Sequence, residues 1–181
     1  MWLYLAVLVG LYYLLRWYRE KQVVSHLQDK FVFITGCDLG FGNLLARQLD
    51  LRGLRVLAAC LTEQGAQQLK GQTSDRLETV ILDVTKTESI AAATEWVKER
   101  VGDRGLWSLV NKAGISMPTA PNEWLTKQNF MKILDVNLLG VILGVIEVAL
   151  SLLPLVWKER ALYFGVKITM IKPGQDGYVQ Y

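Results

Sequence analysis

A threonine and three glycines lie together in residues 35–42, which read TGCDLGFG. A β-prone apolar run at residues 31–34 precedes them, and residues 43–49 have a helical pattern, so the glycines fall between a strand and the start of a helix. Glycine lets the backbone come close to a phosphate, and a helix N-terminus offers unpaired N–H groups and the positive end of a dipole. The spacing therefore predicts a cradle for a dinucleotide pyrophosphate, and the alternative is a tight turn that binds no ligand.

This TGxxxGxG spacing, at the first strand of an α/β pattern, resembles that of the short-chain dehydrogenase/reductase family. Residues 1–139 look like its membrane-bound retinol and hydroxysteroid dehydrogenase branch. The resemblance implies the oxidation of a retinol or hydroxysteroid alcohol with NAD, in which a tyrosine acts as the base. The residues that it implies for dinucleotide binding are Thr35, Gly36, Asp38, Gly40, Phe41, Gly42, Asp83, Val84, Asn111, Ala113 and Gly114.

Two groups of these residues follow later strands. By the resemblance, Asp83 and Val84 would contact the adenine ring, and the alternative is an aspartate that only caps the next turn. Residues 111–114 read NKAG where the family has Asn-Asn-Ala-Gly, whose small residues line the cofactor floor. Lys112 departs from that pattern. Because a lysine cannot accept a hydrogen bond and resists burial unless it is paired, we expect a local change in the sheet or in the cofactor floor.

The catalytic residues of the family are only partly recognisable. Asn137, in DVNLLG, matches the asparagine of the family's catalytic tetrad, and the alternative is an ordinary helix asparagine. Tyr163 and Lys167 have the Tyr-x-x-x-Lys spacing, which needs a helix if the two side chains are to act together. Residues 163–171 alternate as a strand does, and strand positions four apart are separated by about 13 Å. The resemblance therefore implies a truncated or alternatively spliced form without a recognisable base, with negligible or very weak dehydrogenase activity.

The elements that would position these residues alternate between strand and helix. After the glycine turn we expect an amphipathic helix over residues 44–51 that stops at Gly53, then a strand over residues 54–60. That strand ends without an acidic or basic residue, and the lack of an arginine for a 2′-phosphate favours NAD over NADP. The later predicted elements are a strand at 80–84, a helix capped by Thr85 and Glu88 that ends at Gly102, a strand at 106–110 and a helix from Glu123.

This alternation predicts an α/β fold, a Rossmann-type doubly wound parallel sheet that is incomplete at its C-terminal side, with an N-terminal membrane-anchor helix. Residues 139–146 repeat LGVI, and residues 138–156 have Glu147 as their only charge, so a second membrane helix is an alternative there. The predicted organisation is a membrane anchor at 1–18, a linker at 19–30, a nucleotide-binding domain at 31–156 and a remnant of the C-terminal part of the fold at 157–181.

The anchor is predicted from residues 1–15, which are almost wholly apolar, and from the aromatic and basic residues that border them. No basic region precedes this run and no cleavage site closes it, so we expect a retained anchor, with a helix packed on the domain as the alternative. The positive charge on its C-terminal side predicts a cytosolic domain. The resemblance implies the endoplasmic reticulum membrane.

The composition argues against several other functions. The net charge of +3 is too small and too evenly spread for a nucleic-acid-binding surface. With one histidine and two cysteines the chain has no Cys/His cluster for a metal, and we expect Cys37 and Cys60 to be buried and free of disulfides.

A second function, of another class, stays open. Loss of a strand and a helix would leave an unpaired sheet edge and uncovered apolar surface, which favour association. The chain would then be a catalytically silent, membrane-tethered dinucleotide-binding or interaction protein, either as a homo-oligomer or paired with full-length relatives. A third possibility is an unstable chain that is made and degraded. The residue pattern does not distinguish a retinoid from a steroid substrate.

Overall fold

The computed structural model describes residues 2–20, 26–116 and 121–145. Helices and strands alternate along most of it, in agreement with the predicted α/β pattern. In chain order they are helix α1 (Trp2–Glu20), strand β1 (Phe31–Thr35), helix α2 (Gly40–Leu51), strand β2 (Arg55–Cys60), helix α3 (Glu63–Lys70), strand β3 (Leu77–Ile81), helix α4 (Thr87–Val101), strand β4 (Ser108–Val110), helix α5 (Lys127–Leu134) and a π-helix (Asp135–Val145). Short 3₁₀ helices are found at Leu27–Asp29, Gly102–Arg104 and Asn122–Trp124.

The four strands form one parallel sheet in the order β3-β2-β1-β4. Ile34 of β1 is paired with Ala58 of β2 on one side and with Val110 of β4 on the other. All five residues of β1 are buried, because helices cover both faces of the sheet. One face packs on α4, through Phe33 and Val97 among others, and the other packs on α2 and α3. The predicted parallel sheet with helices on both faces is confirmed for the described strands.

The third strand ends earlier than predicted. β3 stops at Ile81, so Asp83 and Val84 follow the strand and do not belong to it. The chain leaves the sheet because the N–H of Asp83 donates to Ser89 Oγ (3.0 Å), while its Oδ1 accepts from the N–H of Thr85 (3.0 Å). Such a bond, from an aspartate side chain to the backbone two residues later, is typical of a turn.

The start of α4 also differs from the prediction, because Thr85 and Glu88 do not form a capping box. The helix begins at Thr87, and Lys86 at the N-cap makes no side-chain cap bond. The hydroxyl of Thr85 donates instead to the aspartate of the preceding turn (2.7 Å). The predicted end is confirmed, since the helix stops at Gly102, whose φ is +49°.

Helix α2 begins three residues before the predicted helical run, because the glycine turn leads directly into it. Its buried face is formed by Gly42, Ala46 and Asp50, which are four residues apart. Leu44 and Leu51, the first and last residues of the predicted amphipathic helix, lie off this face and are 52% and 77% exposed.

Helix α3 has no counterpart among the predicted elements. Its eight residues, EQGAQQLK, are mostly polar, and only a short stripe that includes Ala66 and Leu69 is buried. The one local signal for this helix in its sequence is Thr62, which is the N-cap. Its hydroxyl accepts from the N–H of Gly65 (3.1 Å).

Helix α1 confirms that the N-terminal apolar run is helical. Its described large side chains are exposed, for example those of Trp2, Tyr12 and Trp17. Within the described residues, no helix has both the length and the hydropathy that a membrane crossing requires. The predicted anchor at 1–18 therefore stays unconfirmed. Parts of other predicted segments lie outside the described residues: 21–25 of the linker, 146–156 of the alternative membrane helix and all of 157–181.

Candidate functional site

The carboxyl ends of the four parallel strands meet at one edge of the sheet. The chain moves outward from β1 to β2 and β3 and then crosses to β4 on the other side of β1, an arrangement that opens a crevice beside the end of β1. A cavity of about 260 Å³, which we call the strand-end cleft, lies at this edge. Its lining residues are Thr35, Gly36, Asp38, Leu39, Leu61, Leu82, Asp83, Val84, Lys112, Ala113, Gly114, Ile115 and Val136.

Most of the residues predicted to bind a dinucleotide line the strand-end cleft. These are Thr35, Gly36, Asp38, Asp83, Val84, Ala113 and Gly114. The first three residues of α2, namely Gly40, Phe41 and Gly42, lie beside the cleft without lining it, and Phe41 is exposed. Asn111 does not line it either.

The glycine turn packs directly on the segment that follows β4. A Cβ on Gly36 would lie 2.7 Å from Ala113 Cα, and its φ of +72° is one that L residues avoid. A Cβ on Gly42 would overlap the carbonyl oxygen of Gly36. Gly40 also has a positive φ (+64°), but a Cβ there would have no neighbouring atom of the described residues within 4 Å. The turn is therefore closed against the protein at Gly36 and Gly42 and open at Gly40, where a ligand can approach the backbone.

Thr35 joins the ends of β1 and β4. Its hydroxyl oxygen accepts from the N–H groups of Lys112 and Ala113, each at 3.0 Å. Because Thr35 is itself buried, these two bonds hold the segment after β4 against the glycine turn.

Asp38 places a carboxylate at the end of β2. Its Oδ2 accepts from the N–H of Leu61 (2.7 Å), and its Oδ1 accepts from the N–H (2.9 Å) and the hydroxyl (2.8 Å) of Thr62. The sequence of β2 ends without an acidic residue, but the fold places one at its tip. This acid is Asp38, which comes from the turn after β1. Gly65 leaves room for it, since a Cβ on Gly65 would lie 2.6 Å from Asp38 Oδ1. Sequence reasoning missed Gly65, because only the tertiary contact shows why it is needed.

Asp83 caps the turn after β3, as the alternative interpretation expects, and it also lines the cleft. Its Oδ1 accepts from the hydroxyl (2.7 Å) and the N–H (3.0 Å) of Thr85, and Lys86 Nζ lies 3.4 Å from its Oδ2. These contacts lower the pKa of Asp83, and the hydroxyl of Thr85 has the largest effect.

Asp83→Asn should make the free energy of unfolding vary less with pH in the acid range. Since the folded pKa is depressed, the carboxylate stabilises the fold above the unfolded pKa of about 4, and this contribution is lost as the pH falls through the lower folded value. We expect urea titrations to show a less stable variant at about pH 6 and a difference that shrinks steadily below about pH 4. Asp75→Asn, at an exposed position before β3, is the charge-matched control. A difference that stays constant with pH would contradict the assignment.

The π-helix packs closely on Val84, one wall of the cleft. A Cβ on Gly140 would lie 2.9 Å from both Val84 Cγ2 and the Val84 carbonyl oxygen. A helix is found here as expected, but it is a π-helix, and it includes part of the repeated LGVI. Hydrogen bonds from i to i+5 let a helix hold extra residues, which a repeat supplies.

Asn137 ties the π-helix to the segment after β4. Its Nδ2 donates to the carbonyl oxygen of Ile115 (2.8 Å), and its Oδ1 accepts from the N–H of the same residue (2.8 Å). Both atoms of the amide are therefore used to position a residue that lines the cleft. The predicted catalytic role of Asn137 stays a prediction, and Tyr163 and Lys167 lie outside the described residues.

Asn111 is the one buried side chain of the described part whose polar atoms have no partner. It is 5% exposed, and neither its Oδ1 nor its Nδ2 forms a hydrogen bond with a described residue. A buried unsatisfied amide costs about 1–3 kcal/mol. The position directly follows β4, which pairs only with β1 among the described strands.

Cys37 and Cys60 are buried free thiols, as predicted. Cys37 Sγ donates to the carbonyl oxygen of Ile34 (3.3 Å), and burial raises its pKa. Burial and the nearby charge of Asp38 raise the pKa of Cys60 to about 12. Neither thiol is in the reactive, deprotonated form at neutral pH.

Comparison with known proteins agrees with this geometry. The sequence model of the family described as short chain dehydrogenase matches residues 30–161. Retinol dehydrogenase 16 from Homo sapiens is 64% identical over 211 residues, which cover 96% of this chain and 65% of that protein. 17-beta-hydroxysteroid dehydrogenase type 6 from Bos taurus is 76% identical, with coverage of 98% of this chain and 59% of that protein. The chain thus spans less than two thirds of the length of these relatives.

A solved structure has a similar fold. It is 3-ketoacyl-(acyl-carrier-protein) reductase from Brucella melitensis complexed with NADH, which is 30% identical and superposes with a TM-score of 0.62 over 67% of this chain and 49% of that chain. Sequence and fold lead to the same conclusion: this chain belongs to the short chain dehydrogenase family.

Proposed function

We propose that the chain binds NAD in the strand-end cleft. The observation that carries the proposal is the glycine turn, which is closed against the protein at Gly36 and Gly42 and open at Gly40, at the N-terminus of a twelve-residue helix. Such a turn gives a pyrophosphate access to the backbone and a favourable dipole. The NADH complex of the similar Brucella melitensis reductase supports a nicotinamide dinucleotide as the ligand.

The preference for NAD over NADP is proposed from Asp38. Its carboxylate lies at the tip of β2, where dinucleotide folds hold the adenosine ribose. An acid at this place accepts from the 2′-hydroxyl and repels a 2′-phosphate. Three donors of Leu61 and Thr62 fix the carboxylate without neutralising its charge.

A retinoid or steroid alcohol is the proposed substrate class, on the strength of the relatives named retinol dehydrogenase and 17-beta-hydroxysteroid dehydrogenase. Bound NAD would accept the hydride of such an alcohol. Tyr163 and Lys167 have the spacing of the proton-handling pair but lie in an alternating, strand-like run, so we propose that turnover by this chain is negligible or very weak. Association with the endoplasmic reticulum membrane, with the domain in the cytosol, belongs to the same proposal.

The test is a titration of the full chain with NAD, followed by tryptophan fluorescence and by thermal unfolding. We expect saturable quenching, and a stabilisation of about 2.7 kcal/mol when NAD is at 100 times its Kd. Gly42→Ala, whose methyl group would overlap the carbonyl oxygen of Gly36, should abolish the response. A folded wild-type chain that shows no saturable response to NAD would overturn the proposal. Oxidation of all-trans-retinol that Tyr163→Phe abolishes would overturn the proposed loss of turnover.

A second candidate function, association through the sheet edge, is favoured by Asn111 and β4. The amide of Asn111, which has no hydrogen-bond partner among the described residues, directly follows a strand with one described neighbour. A strand added at this edge could pair with β4 and bond to the amide. The partner would be a second copy of the chain or a full-length relative. Co-purification of a tagged full-length relative would support this candidate, and a well-behaved monomer after removal of residues 1–22 would count against it.

A further inference from the structure

We propose that Lys112 binds the pyrophosphate of the dinucleotide, so that this chain recognises the phosphates with a side-chain cation as well as with the glycine turn. This inference rests on the proposed function, because it concerns the same cleft. It assigns a role to the one residue of NKAG that departs from the family's Asn-Asn-Ala-Gly.

The backbone of Lys112 is held at the base of the glycine turn. Its N–H donates to the hydroxyl oxygen of Thr35 (3.0 Å), and the residue lines the strand-end cleft. Its side chain packs on the start of α2, since Lys112 Cγ lies 3.2 Å from the position that a Cβ on Gly42 would occupy. The stem of the lysine therefore lies beside Gly42, in the first turn of the helix to which a pyrophosphate would bind.

The charge of Lys112 acts at the same turn. Burial raises the pKa of Cys37, in the middle of TGCDLGFG, and the negative charge of Asp38 raises it further. The positive charge of Lys112 has the opposite effect on this thiol. A cation and an anion thus act at the glycine turn. Asp38 belongs to the turn and lies at the ribose end of the proposed site, and Lys112 packs beside Gly42 at the phosphate end.

Lys112 has no carboxylate within salt-bridge distance in the part of the chain that the structure describes. Its side chain is half-buried, and a partly desolvated cation gains from a nearby anion. The anion that fits this position is a phosphate, because the adjacent backbone is open at Gly40 and the helix dipole has the same sign as the lysine. A bound phosphate would also pair the charge of Lys112, which was expected to resist burial at the cofactor floor. The replacement of asparagine by lysine would then add a positive charge for binding to the cleft.

The experiment compares ligands with and without phosphates on matched variants of the full chain. Lys112→Met keeps most of the stem and removes the charge, Lys112→Asn gives the neutral residue of the family pattern, and Lys112→Arg keeps the charge. We expect Lys112→Met and Lys112→Asn to weaken the binding of NAD and ADP about tenfold and to leave the affinity for adenosine unchanged. Lys112→Arg should bind NAD and ADP within about threefold of the wild type. The affinity of the wild type for ADP should also fall more steeply with salt than that of the Met variant.

The outcomes separate the two proposals. A wild type that binds NAD with an affinity equal to that of the Met and Asn variants overturns the role of Lys112 and leaves the NAD site standing. Tighter binding of NAD by the Asn variant also overturns it, because the lysine would then obstruct the cleft. A folded wild type that binds neither adenosine nor NAD overturns both proposals. Thermal unfolding without ligand shows whether each variant is folded, and the second neutral variant keeps the test decisive if the first does not fold.

Discussion

Gly36→Ala should destabilise the chain by about 2–5 kcal/mol, because it combines backbone strain with overlap against backbone atoms. About 1–2 kcal/mol comes from the left-handed backbone, whose φ is +72°. A further amount of about 1–3 kcal/mol comes from overlap, because the new Cβ would lie 2.7 Å from Ala113 Cα and 2.8 Å from Ala113 N. These are backbone atoms tied to Thr35, so they cannot move without breaking the link between β1 and β4. Urea unfolding of the full chain measures the loss.

Gly53→Ala is the matched control for this prediction. Its φ of +89° also strains an alanine, but the nearest atom to the new Cβ would be Gln28 Cγ at 3.8 Å, an ordinary contact. We expect it to lose only about 1–2 kcal/mol. Gly40→Ala should lose about as much stability as Gly53→Ala, because its Cβ would point into open space. It should also weaken NAD binding, because that space lies beside the proposed phosphates. Equal losses of stability for Gly36→Ala and Gly53→Ala would show that contact with Ala113 does not matter.

Asp38→Asn should raise the affinity for NADP relative to NAD by about tenfold or more. Two unit charges at about 4 Å interact by up to about 4 kcal/mol near a protein surface, so removing the carboxylate removes a large repulsion of the 2′-phosphate. The amide keeps one oxygen, which can accept from the N–H of Leu61 or of Thr62, so one of the two attachments of the side chain to the backbone is preserved. Competition between the two coenzymes in a fluorescence titration measures the ratio.

Asp75→Asn makes the same change in net charge at an exposed turn outside the cleft, and it should leave the ratio of affinities unchanged. If Asp38→Asn also leaves the ratio unchanged while NAD still binds, the carboxylate does not select the coenzyme. The ribose would then lie elsewhere in the cleft.

Local patterns account for what could be predicted. The apolar run of β1, the glycines and the helix after them follow one another directly within residues 31–51, so their order alone indicates a strand, a turn and a helix. The run at 80–84 misleads because Asp83 bonds to its own turn and ends the pairing at Ile81. Helix α3 gives too little apolar signal, because its polar residues outnumber the buried Ala66 and Leu69.

The contacts that shape the cleft could not be predicted, because they join residues far apart in the sequence. Asp38 reaches Thr62 across 24 positions, and Asn137 reaches Ile115 across 22. No periodicity encodes such pairs. Lys112 stood out as a departure from a pattern, but only its position over Gly42 indicates what the departure does.

The tight packing of Gly140 on Val84 limits how far this wall of the strand-end cleft can move. Most pockets adjust to their ligand by rotating a side chain, but at this wall the partner of Val84 is bare backbone, and backbone has no rotamer to change. The width of the strand-end cleft at Val84 is therefore set by the position of the whole π-helix. Asn137 also holds this helix to Ile115, another residue of the cleft lining, so widening the cleft at Val84 requires the helix and the segment after β4 to shift together.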